Sequence, residues 1–136
     1  MAKKKIYRAG VIPYIIEDGQ LQMMFMKPSK TKYGGSDFQI AKGKYEEGET
    51  AVEAGMREAK EELGLFGGNV EHLDELGVFM GRTTVFIAAI KDKDMFGEPH
   101  FETAKTKWMT PEQFQQEGRG LHKPVVKAAT RKIGKI

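Results

Sequence analysis

One helix, Thr50–Leu63, is specified more firmly than any other element of this 136-residue chain, and it stands between two β-rich stretches. Thr50 and Glu53 have the spacing of a capping box, in which each side chain satisfies a backbone N–H that the first helical turn leaves without a partner. Gly64 stands where a helix C-cap is expected. Val52, Met56, Ala59 and Leu63 recur at i, i+4, i+7 and i+11, which predicts one apolar stripe facing the core. Glycine at 55 costs such a helix about 1 kcal/mol relative to alanine, and it marks close packing against a sheet. The order β-rich, helix, β-rich, helix predicts an α/β fold, a mixed sheet packed between helices.

The flanking segments fill in that order. Ile6–Ile16 is rich in β-formers and ends at Glu17-Asp18-Gly19, a hairpin turn signal, with Leu21–Met26 as the returning strand. A Gly/Ser/Lys-rich loop from Pro28 to Asp37 leads to a short extended piece, Phe38–Ala41. Beyond the helix, Leu76–Met80, Thr84–Ile90 and Thr106–Met109 read as strands, with a turn-rich stretch from Lys91 to His100 before the last. Thr110-Pro111 has the form of an N-cap and first helical position for a short helix reaching at least Phe114. Pro124 opens a basic C-terminal helix with Val125, Val126, Ala129 and Ile133 as packing positions. There is no internal repeat and no linker, and the length suits one domain spanning 1–136.

Composition excludes several classes. The chain has no cysteine, hence no disulfide, thiolate nucleophile or Cys-based zinc site. No apolar run approaches the roughly 18–20 residues needed to span a bilayer, so no membrane association is expected. The basic start, Met-Ala-Lys-Lys-Lys, is followed by Arg8, Gly10 and Pro13 rather than a clean apolar stretch, unlike a secretory signal. The expected location is the cytoplasm. No sequence feature specifies an oligomeric state. The net charge of +3 is segregated: Tyr45–Glu75 holds ten acidic and two basic residues, while the rest of the chain holds nine acidic and twenty basic. That pattern suits cations held against an anionic substrate, although a solvated acidic helix in a lysine-rich protein would share it.

The chemistry concentrates on the helix. Glu58, Glu61 and Glu62 fall at i, i+3 and i+4 and project from one side. Like charges so spaced repel, and folding gains nothing from them. Hard divalent cations bind carboxylate oxygens together with water and substrate phosphates, and such ions activate water for attack on phosphorus. A solvent-facing polar helix face is the competing explanation for the three glutamates alone.

Their surroundings decide between the two. The stretch GKYEEGETAVEAGMREAKEELGL, Gly43–Leu65, resembles the Nudix box, G-x5-E-x7-R-E-U-x-E-E-x-G-U with U a bulky apolar residue. Gly43, Glu49, Arg57, Glu58, Glu61, Glu62, Gly64 and Leu65 match at the right spacing, and Ala59 fills the first U position with a smaller side chain than usual. A chance match at all nine positions has odds on the order of one in a billion per start site. The hairpin before the box, the Phe38–Ala41 piece and the late Trp108 also resemble the family's layout. Ala41 stands where many members have proline, a departure that leaves the chemistry untouched.

The resemblance implies the Nudix fold, an α/β/α sandwich, and a pyrophosphohydrolase that needs Mg²⁺ or Mn²⁺. It implies Glu58, Glu61 and Glu62 as metal ligands, with the Gly43 carbonyl adding an oxygen. Arg57 and Glu49 would form a pair that aims the ligand carboxylates. Glu58, or a carboxylate outside the box, would deprotonate the attacking water. Glu102 is the outside candidate, as ligand or base, because its six-residue spacing before Trp108 resembles a catalytic or metal-binding glutamate in several Nudix branches. Lys42, Lys44 and Arg82 are the expected substrate-binding cations. Tyr33, Tyr45 and Phe79 are weaker candidates for stacking on a base, aromatic residues being more often core. His72, His100 and His122 lack metal-ligand spacing and are expected to be structural or exposed.

The Lys42-Gly43-Lys44 loop and the Glu102–Trp108 spacing look closest to hydrolases of dinucleoside polyphosphates or 5′-phosphorylated RNA ends. The tyrosine common in diadenosine tetraphosphate enzymes is missing near Phe79–Arg82, as is the proline of ADP-ribose enzymes. Nucleoside triphosphates and ADP-ribose-like nucleotides are the alternative substrates. A non-catalytic nucleotide sensor would be marked by lost box glutamates, and here all are present.

Overall fold

The computed structural model describes residues 5–33 and 35–135, apart from the side chain of Tyr33. The first strand, β1 (Arg8–Glu17), returns through a tight turn into β2 (Gln20–Pro28), with Glu17 paired to Gln20. Asp18 and Gly19 both take positive φ, 51° and 77°, the geometry that matches the right-handed twist of hairpin strands. A short β3 (Ala41–Lys44) precedes α1 (Ala51–Leu63). Then come β4 (Val70–Phe79), β5 (Thr83–Ile90), β6 (Thr103–Met109), α2 (Pro111–Glu117) and α3 (Lys123–Ile133).

The sheet runs β4-β5-β1-β2-β6, with β3 pairing the first half of β1. β1 and β5 run parallel, and the other named strand pairs are antiparallel. Strand alternation sorts the core into two layers. Val11, Phe86, Ala88 and Ile90 meet Ala59 and Leu65 on the α1 side. Ile12, Val85 and Ile87 share a cluster with Phe114 of α2 and Val125, Val126, Ala129 and Ile133 of α3. The expected α/β/α sandwich is therefore the observed fold. No helix among the described residues is long and apolar enough to cross a membrane.

Local signals held where the chemistry was local. Both halves of the Thr50–Glu53 capping box form, and Gly64 ends α1 at φ 76°. A second box forms at Thr110 and Gln113. Two expectations need correction. Val52 is 44% exposed, and the buried face of α1 is Ala54, Gly55, Ala59 and Leu63. The helix rides so close to the sheet that a Cβ on Gly55 would lie 3.3 Å from Val11, so small residues, not large ones, mark its inner face. β4 also begins at Val70 rather than Leu76. It is an edge strand with two register shifts, and exposed Glu71, Asp74 and Glu75 hide its β character.

Candidate active site

Arg57 organises the N-terminal side of the site. Its guanidinium grips Glu49 at both oxygens (2.7 and 3.0 Å), donates to the Lys44 carbonyl (2.9 Å), and reaches Glu58 (2.8 Å) and Glu61 (3.3 Å). A bidentate Arg–carboxylate pair fixes direction as well as distance. The loop before α1 is thus tied to the helix, and part of the glutamate repulsion is offset. The same contact holds the Glu49 carboxyl below the usual range, helped by the Glu46 amide, and raises the Arg57 pKa further.

The far end of α1 brings in residues forty positions away. A helix leaves its last carbonyls unpaired. Here the loop before β6 supplies donors: the His100 amide to Glu61 O (2.6 Å), the Thr103 hydroxyl to Glu62 O (2.9 Å) and the Gly97 amide to Gly64 O (2.8 Å). Trp108 anchors that strand, its ring edge-on to Phe96 at 5.8 Å. Glu102 is carried against the box as a consequence.

Glu58, Glu62 and Glu102 line one open cleft of about 820 Å³, together with Lys42, Gly43 and Lys44. Glu61 faces an adjoining hollow of about 180 Å³ that Glu62 and Glu102 share. Burial raises the Glu58 pKa, with Glu61 and Glu102 adding to it and Arg57 opposing it. Glu62 is pushed up to about 8 by burial and by Glu58 and Glu102, although the Lys42 amide donates to it at 2.9 Å. Among the described residues no three His, Asp or Glu side chains stand in metal-ligand geometry. The donor set nonetheless suits a hard cation: the carboxylates are crowded and partly desolvated, and a Cβ at residue 43 would overlap the Glu58 carboxylate, so only glycine leaves that cradle open.

Basic side chains line the same cleft, and they are not all the ones expected from the sequence. Lys42 and Lys44 line the cleft, but Arg82 does not; it sits exposed in the β4–β5 turn, where its carbonyl accepts the Arg8 amide at 2.9 Å. Arg8, Lys32 and Arg119 line the cleft instead. Burial lowers the Lys42 pKa, with Arg119 and Arg8 adding to it. Arg8 is brought in because it pairs with Lys44 across β1 and β3. Arg119 comes from the α2–α3 connector, held by its amide to Phe38 O (2.8 Å) and its guanidinium to Gln39 (2.9 Å). Tyr45 lines the cleft, tilted against Tyr7 at 6.1 Å, whereas Phe79 packs on the α2–α3 core. The Tyr33 side chain lies outside the described residues.

The histidines divide as expected: His72 and His100 are exposed, and His122 is fully buried. The Ile40 amide donates to its Nδ1 at 3.0 Å, so the neutral ring carries its proton on Nε2, which has no hydrogen-bond partner among protein atoms. Burial, with Lys42 and Arg119 nearby, pushes its pKa down to about 3. Below its ordinary pKa the unfolded chain binds a proton that the folded chain refuses, so stability is complete above about pH 6.5 and falls as the pH drops towards 3. At pH 5 this should remove about 2 kcal/mol. Urea unfolding at pH 7.5 and 5 should therefore show a loss in the wild type that is smaller by about that amount in His122→Gln. Equal losses in the two proteins would refute the assignment.

The family model for the NUDIX domain matches residues 6–129. The chain belongs to the Nudix family. Its enzyme class is pyrophosphohydrolase, acting on phosphoric anhydride bonds, and Nudix hydrolases generally use divalent metal ions. A search of curated proteins by sequence finds no match. Solved structures share the fold. An Ap4A hydrolase from C. elegans, in a binary complex, superposes with TM-score 0.80 at 17% identity, covering 97% of this chain and 100% of that one. The NUDIX domain of Shewanella oneidensis NrtR, complexed with ADP ribose, gives 0.75 at 12% identity, covering 97% and 90%. RenU, a Nudix hydrolase from M. smegmatis, gives 0.74 at 18%, covering 93% and 86%.

Proposed function

We propose that this Nudix protein cleaves the diphosphate linkage of a nucleoside diphosphate derivative, taking a dinucleoside polyphosphate or a 5′-phosphorylated RNA end. The observation that carries the reading is a cleft lined both by Glu58, Glu62 and Glu102 and by Arg8, Lys42 and Arg119. A phosphate chain lying in that cleft meets its basic side chains directly and its carboxylates through divalent cations. The NrtR NUDIX domain, crystallised with ADP ribose, is consistent with that class of ligand.

Glu58, Glu61, Glu62, Glu102 and the Gly43 carbonyl would hold Mg²⁺ or Mn²⁺, which when bound supplies charge neutralisation and Lewis acidity at the phosphate oxygens. The remaining work falls to the chain itself. Arg8, Lys42 and Arg119 orient the phosphates, and stabilisation of developing charge by groups already in place supplies much of the rate. Glu58 or Glu102 takes the proton of the attacking water, and Arg57 with Glu49 keeps Glu58 aimed.

A screen with Mg²⁺ or Mn²⁺ over dinucleoside polyphosphates, triphosphorylated RNA, nucleoside triphosphates and ADP-ribose, with products identified by mass, should find turnover on the first two. Turnover confined to nucleoside triphosphates or ADP-ribose would refute the substrate assignment.

A further inference from the structure

Beyond the cleft, the β2–β6 end of the sheet carries a cluster of three lysines over one aromatic ring. Lys27 and Lys105 are direct cross-strand partners, and Lys107 follows two residues along on the same face. Their ammonium groups lie 5.9, 5.6 and 5.6 Å from the centre of one ring, Phe38. Like charges directly opposite each other on a sheet are destabilising. Lys107 reaches Glu117 at 3.3 Å; among the described residues Lys27 and Lys105 have no carboxylate partner. Lysines on an edge strand also discourage unwanted strand pairing. That role does not explain Lys27, which belongs to the interior strand β2, and attraction to the Phe38 ring offsets only part of the repulsion among three ammonium groups.

The corner continues from the cleft. Lys105 lies three residues after Glu102, which sits in the turn just before β6, so about 10 Å of chain at most separates them. The Ser29 amide donates to the Glu102 carbonyl at 2.8 Å, so β2 and β6 run together from the cleft to the lysines. The Phe38 carbonyl also accepts the Arg119 amide, which joins the corner to a cation that lines the cleft. With Phe38 only 6% exposed, no base can stack there, and the corner offers charge alone.

We propose that Lys27, Lys105 and Lys107 form a second anion site, which holds the phosphodiester backbone of a single-stranded RNA whose 5′ diphosphate occupies the cleft. The proposal rests on the hydrolase reading for the cleft and selects the RNA end within it. A dinucleoside polyphosphate places an uncharged nucleoside beyond its phosphates, whereas a polynucleotide carries a charge at every step. Contacts to backbone alone give affinity without sequence preference and a steep dependence on salt.

The test compares wild type, the triple variant Lys27→Gln/Lys105→Gln/Lys107→Gln, and a control of equal charge, Lys91→Gln/Lys127→Gln/Lys132→Gln. Binding of a short 5′-hydroxyl single-stranded RNA is read by fluorescence anisotropy without metal, so no hydrolysis is needed, and thermal unfolding verifies that each variant is folded. The corner variant should bind roughly tenfold more weakly and lose about two from the log–log salt slope, with the control close to wild type. On triphosphorylated RNA its kcat/KM should fall roughly in parallel, with little change on ATP. Equal weakening by both triples, or no RNA binding by wild type, would overturn the proposal. Selective loss of binding in a protein that hydrolyses no nucleotide would support the corner site and refute the hydrolase reading.

Discussion

Glu62→Gln should lower kcat by about 10²-fold or more, equivalent to about 2.7 kcal/mol in the barrier, while leaving the fold intact. Glutamine keeps the shape and the oxygen that accepts the Lys42 amide, and removes only the charge. The stability effect has a definite sign. A carboxyl raised to about 8 contributes stability that is fully present below its ordinary pKa and lost as pH rises through about 8. Metal-free wild type above that pH must ionise Glu62 beside Glu58 and Glu102; the variant does not, so in chelator at pH 9 it should unfold at higher urea concentration. Unchanged turnover in Glu62→Gln would return the helix to the status of a solvated acidic face.

Glu102→Gln should lower kcat by about tenfold or more and raise KM far less, because a ligand or base acts chiefly in the transition state. The comparison is with Glu98→Gln, an exposed glutamate four residues earlier on the same loop, which should change little. Equal, small effects from the two substitutions would demote Glu102 to a loop residue and leave Glu58 as the base. The pair also separates chemistry from field strength, since each removes one negative charge from the same segment.

These two glutamates illustrate what a sequence exposes. Glu62 was legible because a helix converts spacing directly into a shared face, and Thr50, Glu53 and Gly64 fix where that helix starts and stops. The hairpin at Asp18-Gly19 and the packing face of α3 were legible for the same local reason. Glu102 was found only through resemblance; what carries it to the box is donation by the His100 and Thr103 groups to the last carbonyls of α1, a long-range event without a sequence signature. Arg8 and Arg119, which line the cleft, were not singled out from the sequence, and Arg82, which was, lies outside it, because the lining depends on which strand ends meet. Arg8 enters through its register with Lys44, and Arg119 through a backbone bond to Phe38. Val52 misled in another way: apolar periodicity favours large residues, and α1 packs on small ones.

The most direct test of a cation-assisted pyrophosphohydrolase is a metal titration on the best substrate from the nucleotide screen. Activity should vanish in excess chelator and return on adding Mg²⁺ or Mn²⁺, with the restoration abolished or greatly weakened in Glu62→Gln. Turnover that persists unchanged in chelator would contradict the role assigned to Glu58, Glu61, Glu62 and Glu102.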